Sequence, residues 1–400
     1  MKLLTDGVIL LRATAADGAV NAFARAVAED DEAAYAEALA ILLREGMQDS
    51  FAEYLAQKIL RDGSLFAERA YTGKEDAATR AAMAHDLRLL QRLAEKTAFL
   101  PPRLSALTDD GMPRIGYGED DGLFGPRWDS AHTLDTLAEF FARNGYGIFL
   151  GNKAFSYENG ALRPVRNTSR VLPADLKDYV EEKRAVEGNI VSFLRGLPYS
   201  DMLLYGDKGT GKSSTVHAML NKYADEGLRA VELQKDQLGA INAVKELLSS
   251  LPFHFLLFID DLSLEEKDEK VTSLKASLEG SMNEKSENVM IVATSNRRHI
   301  LKENFSDREN SVHARDTMEE QLSLSDRFGL TVCFSSTGKA EYLSIVRQLA
   351  ADAALALPAG ELEALAERWA IAKGGRSPRR AKQFIDFAYA CLAKGEPVQF

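Results

Sequence analysis

Residues 202–215 read MLLYGDKGTGKSST, and the order of residue types in this stretch decides the fold. Met202 to Tyr205 form a short apolar run that is typical of a buried strand, and residues 206–213 match GxxxxGK[ST] in full. Glycines let the backbone curl so that successive N–H groups point at phosphate oxygens, and the N-terminus of a following helix attracts the same anion. The stretch therefore predicts a strand, a phosphate-binding loop and a helix.

This loop supplies the candidate nucleotide-binding residues. Lys212 is expected to reach the β- and γ-phosphates of a nucleoside triphosphate, and the hydroxyl of Ser213 to bind Mg²⁺. An ordinary glycine-rich turn is the alternative, but the apolar run before the loop and the helical stretch after it disfavour that alternative. The candidate set is Gly206, Asp207, Lys208, Gly209, Thr210, Gly211, Lys212, Ser213 and Ser214.

A second signal lies at residues 255–261, which read FLLFIDD. An apolar strand that ends in an acidic residue is typical of the strand that holds Mg²⁺ in enzymes that bind nucleoside triphosphates. Asp260, together with Ser213, is therefore the candidate metal ligand. A buried strand followed by a polar turn is the bland alternative. The interval after the phosphate-binding loop leaves room for a helix, a strand and another helix.

Further apolar runs, at 229–233 and 289–293, alternate with helical stretches. This alternation predicts an α/β fold with a parallel sheet flanked by helices. From about Gly338 to Lys394 the pattern is helical throughout, and Gly374 and Gly375 interrupt it near the middle.

The sequence pattern of the first 150 residues differs from that of the rest of the chain. Apolar residues recur at helical spacing over 20–60 and 76–99, Gly-rich sequence at 105–130 indicates a long loop, and a helix is expected over 131–143. Residues 146–150 and 154–157, with a turn at 158–160, are expected to form a short hairpin. We therefore expect three domains: a mainly helical accessory domain at 1–165, an α/β core at 166–337 and a helical lid at 338–400.

Composition excludes several classes of protein. The chain has 400 residues, 46% apolar and 27% charged, which is enough to bury a core without disulfides. The two cysteines, Cys333 and Cys391, are far apart and lack CxxC spacing, which fits a reducing cytosol. The N-terminus lacks a secretory pattern, and apolar runs such as 253–259 are too short for a membrane span. These features predict a cytoplasmic protein without a membrane partner.

The charge is distributed unevenly. Residues 1–150 contain 16 Lys/Arg and 24 Asp/Glu, a net charge of −8, whereas residues 151–400 carry −3. An acidic N-terminal part is a poor match for a nucleic-acid backbone.

Once residues 293–298, ATSNRR, are added to these signals, the chain resembles the AAA+ ATPases. That resemblance implies ATP and Mg²⁺ as cofactors, self-association into a homo-oligomer that in this superfamily can be a ring, and a polar strand tip, here Asn296, that orients the attacking water. Residues 323–329, SLSDRFG, resemble the superfamily's box VII, so Arg327 is implied as an arginine finger that acts in the neighbouring subunit. Residues 375–380, GRSPRR, resemble the lid motif called sensor 2, for which Arg379 is preferred and Arg376 and Arg380 are alternatives.

Purely structural alternatives stay open for two of these residues. Asn296 could belong to an ordinary strand-end turn, and Arg327 could be a surface arginine. Over about residues 155–390 the chain also resembles DUF815, a group of bacterial ATP-binding proteins of unknown function. The motifs are YGDKGTGKSS, FIDDLSLEE, ATSNRRH, a spacer with His313, SLSDRFG and GGRSPRRAKQFID. The resemblance is weak over 1–150, and it implies a fold and an ATPase, not a biological role.

One position departs from the common AAA+ pattern. The residue after the metal-binding aspartate is usually a glutamate that polarises water, and here it is Asp261, whose carboxylate lies about one methylene further back. Glu265 and Glu266 follow closely and are alternative bases, or else solvated acids. The polar segment 306–320 is either a substrate-facing loop or a connector, and the basic cluster Arg297, Arg298, His299 and Lys302 either meets phosphate or is solvated.

Three functions compete. The first is an oligomeric ATPase that remodels a protein partner, with the acidic N-terminal domain as the adaptor surface. The second is a DNA-associated ATPase of the helicase-loader kind, which the two adjacent aspartates and the TSNRR sequence recommend, although nucleic acid is the less favoured partner. The third is a slow ATP-dependent switch or scaffold, which Asp261 would permit.

Overall fold

The computed structural model describes residues 2–118, 122–262, 287–296 and 327–400, with the short pieces 264–265, 274, 277–278 and 301–302. The chain forms two compact units, Met1–Asn152 and Lys153–Phe400. Within the described part, none of the helices is both long enough and apolar enough to cross a membrane.

The first unit is helical, as predicted. Its core is rich in aromatic side chains, of which Phe23, Tyr35, Phe51 and Tyr54 are almost fully buried and pack against one another. Short 3₁₀ turns lie at Leu4–Gly7 and Gly147–Phe149. The helices are α1 (Arg12–Ala15), α2 (Gly18–Glu29), α3 (Glu32–Glu45), α4 (Phe51–Arg61), α5 (Leu65–Thr72), α6 (Ala77–Glu95), α7 (Pro102–Asp109) and α8 (Ala131–Asn144).

Side-chain caps fix where several of these helices begin. Asp17 and Asp31 accept hydrogen bonds from backbone N–H groups in the first turns of α2 and α3, and Ser130 caps α8 in the same way. Pro102 is the first residue of α7, where its missing N–H costs nothing. The long loop predicted from residue 105 is therefore shortened, because α7 continues to Asp109.

A buried carboxylate ties the start of this unit to α6. Asp86 is 0% exposed, and its oxygens accept the backbone N–H groups of Ile9 (2.8 Å), Leu10 (2.6 Å) and Leu11 (3.1 Å). Three converging donors compensate the loss of hydration of this charge. Asp86 thus holds an otherwise irregular segment of chain against a helix.

The predicted hairpin is partly wrong. Its arms are β1 (Ala154–Glu158) and β2 (Ala161–Pro164), joined at Asn159 and Gly160, which both have positive φ. The expected arm at 146–150 contains a 3₁₀ turn instead. Since β1 also pairs in parallel with the strand at Leu228–Glu232, the hairpin belongs to the second unit, and the predicted boundary at 165 moves to 152/153.

Among its described residues, the second unit is built on a seven-stranded sheet with the order β2-β1-β4-β5-β7-β3-β9. Every pair of neighbours is parallel except β1 and β2. This mostly parallel sheet, covered by helices, confirms the predicted P-loop α/β fold class. The remaining strands are β3 (Met202–Gly206), β4 (Leu228–Glu232), β5 (His254–Ile259), β6 (Leu264–Glu265), β7 (Val289–Ser295), β8 (Leu301–Lys302) and β9 (Leu330–Phe334), and β6 pairs with β8 in a separate short ladder.

One face of this sheet packs on helices through a hydrophobic core that includes Ile190, Phe193, Met219, Leu256 and Val292. The helices of the α/β part are α9 (Val180–Leu194), α10 (Lys212–Tyr223) and α11 (Ile241–Ser249), with 3₁₀ turns at Pro173–Asp175, Ala224–Glu226 and Lys235–Ala240.

The C-terminal region is helical, as predicted. It contains α12 (Lys339–Asp352), α13 (Ala359–Ala372) and α14 (Pro378–Ala393), which share a separate core with Trp369 and Phe384 at its centre. Gly374 and Gly375 separate α13 from α14, and a further break at Ala354, which has a left-handed backbone, separates α12 from α13. The expected start of the lid at 338 falls in the turn before α12.

Candidate nucleotide-binding site

Three glycines shape the loop between β3 and α10. Gly206, Gly209 and Gly211 have φ values of 134°, 81° and 101°, in the range that disfavours residues with a side chain. A Cβ on Gly206 would also lie 2.0 Å from the carbonyl oxygen of Phe334 in β9. The loop therefore curls tightly after β3, and α10 begins at Lys212 with its N-terminus facing the loop.

Lys212 lies inside this curl. It is 6% exposed, and its Nζ donates to the carbonyl oxygens of Gly206 (2.8 Å) and Asp207 (2.8 Å) and to Oδ1 of Asn296 (3.2 Å). Burial lowers the pKa of the ammonium, and the nearby carboxylates, Asp207 foremost, oppose that shift. The structure thus places a cation within the loop, held by oxygens that a phosphate group can replace.

The predicted metal-binding pair also comes together. Ser213 Oγ donates to Asp260 Oδ1 at 2.6 Å, so the first turn of α10 meets the tip of β5. The same carboxylate oxygen accepts a hydrogen bond from Thr294 Oγ1 at 2.5 Å. Hydroxyl and carboxylate oxygens are hard ligands suited to Mg²⁺.

Asp261 follows in a left-handed conformation, with φ at 50°. Its Oδ1 accepts a hydrogen bond from Asn296 Nδ2 (2.5 Å), and Lys235 Nζ lies 3.8 Å from its Oδ2. Because Asn296 also accepts from Lys212, one amide joins the loop lysine to the candidate base. Asp261 and Asn296 therefore lie together with Lys212 at the carboxyl edge of the sheet.

The three candidate lid arginines have different surroundings. Arg379 reaches the phosphate-binding loop: its N–H donates to the Gly209 carbonyl (3.2 Å), and its side chain lines the cavity described below. Arg376 forms an ion pair with Glu367, and Arg380 donates to Gln383. The geometry favours Arg379 as the lid residue at the site.

The loop, the strand tips and the lid enclose a cavity of about 650 Å³, large enough for a nucleotide. Its far wall contains residues that sequence reasoning did not identify, because no motif marks them. They come from the segment before α9 (Asp175, Leu176, Lys177, Asp178, Tyr179), from α9 (Lys183), from α12 (Ile345, Leu349) and from α14 (Lys382, Gln383, Asp386).

Tyr179 anchors that far wall. Asp178 and Tyr179 are consecutive left-handed residues, a strained arrangement held by the Tyr179 hydroxyl, which donates to the Ser335 carbonyl at 2.6 Å. The ring packs on Phe334 with 5.3 Å between centroids, and burial raises the pKa of the phenol well above its ordinary range. The segment that closes the cavity is therefore fixed to the end of β9.

Thr294 is a further residue that the sequence analysis missed. It is 1% exposed, and its hydroxyl accepts the N–H of Asp261 (2.9 Å) while donating to Asp260. The signal was present in the ATSN sequence, where a polar residue near the end of β7 precedes Asn296 by two positions.

Arg327 lies three residues before β9 and is not among the residues that line the cavity. Other predicted residues fall outside the described part. These are Glu266, Arg297, Arg298, His299, His313, the segment 306–320 and the side chains of Glu265 and Lys302.

The donor set agrees with Mg²⁺ held jointly with a nucleotide. Among the described residues, no cluster of three or more His, Cys, Asp or Glu forms a self-sufficient metal site. Mg²⁺ commonly binds one or two protein oxygens plus substrate phosphates, and Ser213 and Asp260 supply that number.

Comparison with protein families gives one assignment. The family model described as "Protein of unknown function (DUF815)" matches residues 151–391, which is more than half of the chain. No curated protein matches the sequence.

Solved structures with a similar fold include the RuvB Holliday junction branch migration motor of Thermotoga maritima. It is 17% identical, with a TM-score of 0.40 over 56% of this chain and 66% of that chain. The AAA domain of FIGL-1 in complex with ADP is 17% identical, with a TM-score of 0.39 over 57% of this chain and 76% of that chain. The chain thus spans just under two thirds of the length of the T. maritima protein, and similarity at this level does not bear on function.

Proposed function

We propose that this chain, which belongs to the DUF815 family, is an AAA+ type, Mg²⁺-dependent ATPase whose hydrolytic site lies between the phosphate-binding loop and the tips of β5 and β7. The observation that carries this proposal is the convergence of Lys212, Ser213, Asp260, Asp261 and Asn296 on one edge of the sheet. These residues come from three separate stretches of sequence, and a merely structural loop would not need them together.

Binding begins at the loop. The N–H groups of residues 207–213 and the N-terminus of α10 attract the phosphates, and Lys212 exchanges its carbonyl and amide partners for phosphate oxygens. Ser213 and Asp260 would hold Mg²⁺, which when bound would neutralise negative charge on the phosphates. The residues on the cavity's far wall would enclose the base and sugar.

Hydrolysis requires a base beside the γ-phosphate. We propose that Asp261 accepts a proton from the attacking water and that Asn296 orients that water. In the structure Asp261 is engaged by Asn296 at 2.5 Å, so one oxygen must be released or shared before it can act. Arg379 would contact the phosphates from the lid, where it already lies against the loop.

Arg327 does not line this cavity, which supports the proposal that it serves a neighbouring copy. A guanidinium supplied in trans stabilises charge on the transferring phosphoryl group. We therefore propose a homo-oligomer, of which a ring is one form, that uses ATP to remodel a protein partner in the cytoplasm. The net charge of −8 on residues 1–150 supports a protein rather than a nucleic acid as that partner.

A second candidate function is a slow ATP-dependent switch. The contacts of Asp261 with Asn296 and Lys235 favour it, because carboxylate oxygens that are already engaged by side chains are less free to contact an attacking water. In that case nucleotide binding is retained while turnover is low.

The test is ATP hydrolysis as a function of protein concentration. We expect the specific activity to rise with concentration and Lys212→Ala to abolish nucleotide binding. Arg327→Ala should lose activity but recover part of it when mixed with Asp261→Asn, since each contributes the intact group the other lacks. Constant specific activity from a monomer would contradict the trans arginine, and single-stranded DNA that stimulates hydrolysis would favour a DNA-associated ATPase.

A further inference from the structure

Thr294 joins the two aspartates of the site through one hydroxyl group. Asp261 N is necessarily a donor, so the hydroxyl oxygen accepts from it at 2.9 Å, and the hydroxyl proton is then directed at Asp260 Oδ1, 2.5 Å away. The Thr294 carbonyl also accepts the N–H of Leu262 at 2.6 Å. One residue on β7 therefore contacts three consecutive residues after β5.

These contacts lie where the sheet ladder stops. β5 and β7 are paired up to Ile259 and Ala293, and beyond that point the chain after β5 turns away. Asp261 takes the left-handed conformation there, which residues other than glycine adopt only at an energetic cost. The hydrogen bonds from Thr294 offset that cost and fix the direction in which the Asp261 side chain leaves the backbone.

The same hydroxyl fixes Asp260. Its Oδ1 receives two hydrogen bonds, from Ser213 and Thr294, which come from α10 and β7 respectively. A carboxylate that accepts two hydrogen bonds is held in one orientation. A metal ligand that is held in this way binds its ion more tightly than one whose side chain rotates freely.

We propose that Thr294 is a positioning residue that sets Mg²⁺ binding through Asp260 and the placement of the base through Asp261. The inference rests on the proposed ATPase function and deepens it, because it assigns to one buried hydroxyl the coupling between metal binding and proton transfer. The competing interpretation is that Thr294 is merely a well-packed core residue.

The first experiment measures binding of a fluorescent ADP analogue while Mg²⁺ is titrated. For Thr294→Val we expect the Mg²⁺ concentration that gives half of the change in ADP-analogue binding to rise by about 10-fold or more. The affinity for the ADP analogue in EDTA should stay within about twofold of that of the unmodified protein. Thr294→Ser keeps the hydroxyl and should restore the Mg²⁺ response.

The matched control is Thr337→Val. Thr337 is also buried, at 7% exposed, and its hydroxyl has no hydrogen-bond partner among the described residues. This variant makes the same chemical change at a residue that does not line the cavity, and it should leave the Mg²⁺ response unchanged.

The second experiment is steady-state hydrolysis. We expect kcat of Thr294→Val to fall by about 10- to 100-fold with KM for ATP little changed at saturating Mg²⁺, because the base is misplaced while the loop still binds. An unchanged Mg²⁺ response in Thr294→Val would overturn this inference even if the unmodified protein hydrolyses ATP. A full-length protein that binds no nucleotide at any Mg²⁺ concentration would overturn the proposed function, and the inference with it.

Discussion

Two pairs of aspartates occupy opposite environments in this molecule. Asp62 and Asp86, in the helical unit, lie near each other and accept backbone N–H groups, together with the Thr14 hydroxyl at Asp62 and the His85 ring at Asp86. Asp260 and Asp261, in the α/β unit, stand at the end of a strand beside a cavity and are contacted mainly by side chains. Backbone donors cannot leave, whereas side-chain donors can rotate and exchange for a ligand.

This contrast separates a carboxylate that supports the fold from one that we propose supports chemistry. Asp86 accepts three backbone N–H groups and has no exposed surface. Asp261 accepts a side-chain amide, and its side chain is 58% exposed. The comparison predicts that substitution in the first pair affects stability and substitution in the second affects turnover.

The largest expected effect is that of Asp261→Asn. Loss of the base should lower kcat by about 10³-fold, which corresponds to roughly 4 kcal/mol of transition-state stabilisation, while ATP binding is retained. Single-turnover hydrolysis and ATP binding measured on the same preparation check this. A kcat close to that of the unmodified protein would show that Asp261 is not the base.

A smaller effect is expected for Asp86→Asn. The amide keeps one acceptor oxygen but loses the charge that strengthens the bonds to residues 9–11, so the free energy of unfolding should fall by about 2 kcal/mol. Urea denaturation gives the energy, and hydrogen exchange at residues 9–11 should accelerate.

The control is Asp135→Asn, because Asp135 contacts Arg80 at the surface with 63% of its side chain exposed. Its stability should stay within about 0.5 kcal/mol of the unmodified protein. Equal losses in the two variants would remove the distinction between backbone-bound and surface carboxylates.

The smallest effect concerns Asp62 and pH. Burial is the main cause that raises the pKa of this carboxyl above its ordinary 3.8, and the hydrogen bonds from Thr14 oppose the shift. A raised pKa in the folded state means that the folded protein binds this proton more tightly than the unfolded chain does. The stabilisation is complete below pH 3.8 and is lost as the pH rises through the raised pKa.

Asp62→Asn should therefore be less sensitive to pH over that window. Thermal unfolding of both proteins from pH 3.5 upward measures the difference, and the stability of the unmodified protein relative to the variant should decline as the pH rises. A relative stability that instead increases with pH would mean that Asp62 is better solvated, or more strongly hydrogen-bonded, than its burial implies.

The local parts of the fold were predictable from sequence because their causes are local. The strand, loop and helix around Lys212 follow from apolar residues, glycines with positive φ and a helix start that are contiguous in the chain. The adjacency of Asp260 and Asn296 followed from a rule about parallel strands, whose carboxyl ends share one edge.

The remaining features depend on partners that are distant in sequence. β9 alternates buried and partly exposed residues as an edge strand, and only its pairing with β3 identifies it. The arm expected at 146–150 failed because Gly147 takes a left-handed conformation that begins a 3₁₀ turn instead of a strand. The cavity's far wall joins the segment before α9 to the lid, and no motif connects those two regions.

The close approach of Gly206 to Phe334 also limits which residues position 206 of this chain can hold. Since a Cβ at position 206 would lie 2.0 Å from a backbone oxygen, no other amino acid fits without displacing β9. Displacement of β9 would carry with it Ser335, to which Tyr179 is bonded, and so would open the opposite wall of the cavity. A side chain at position 206 is thus expected to disrupt the proposed nucleotide-binding cavity outright, not to adjust it gradually.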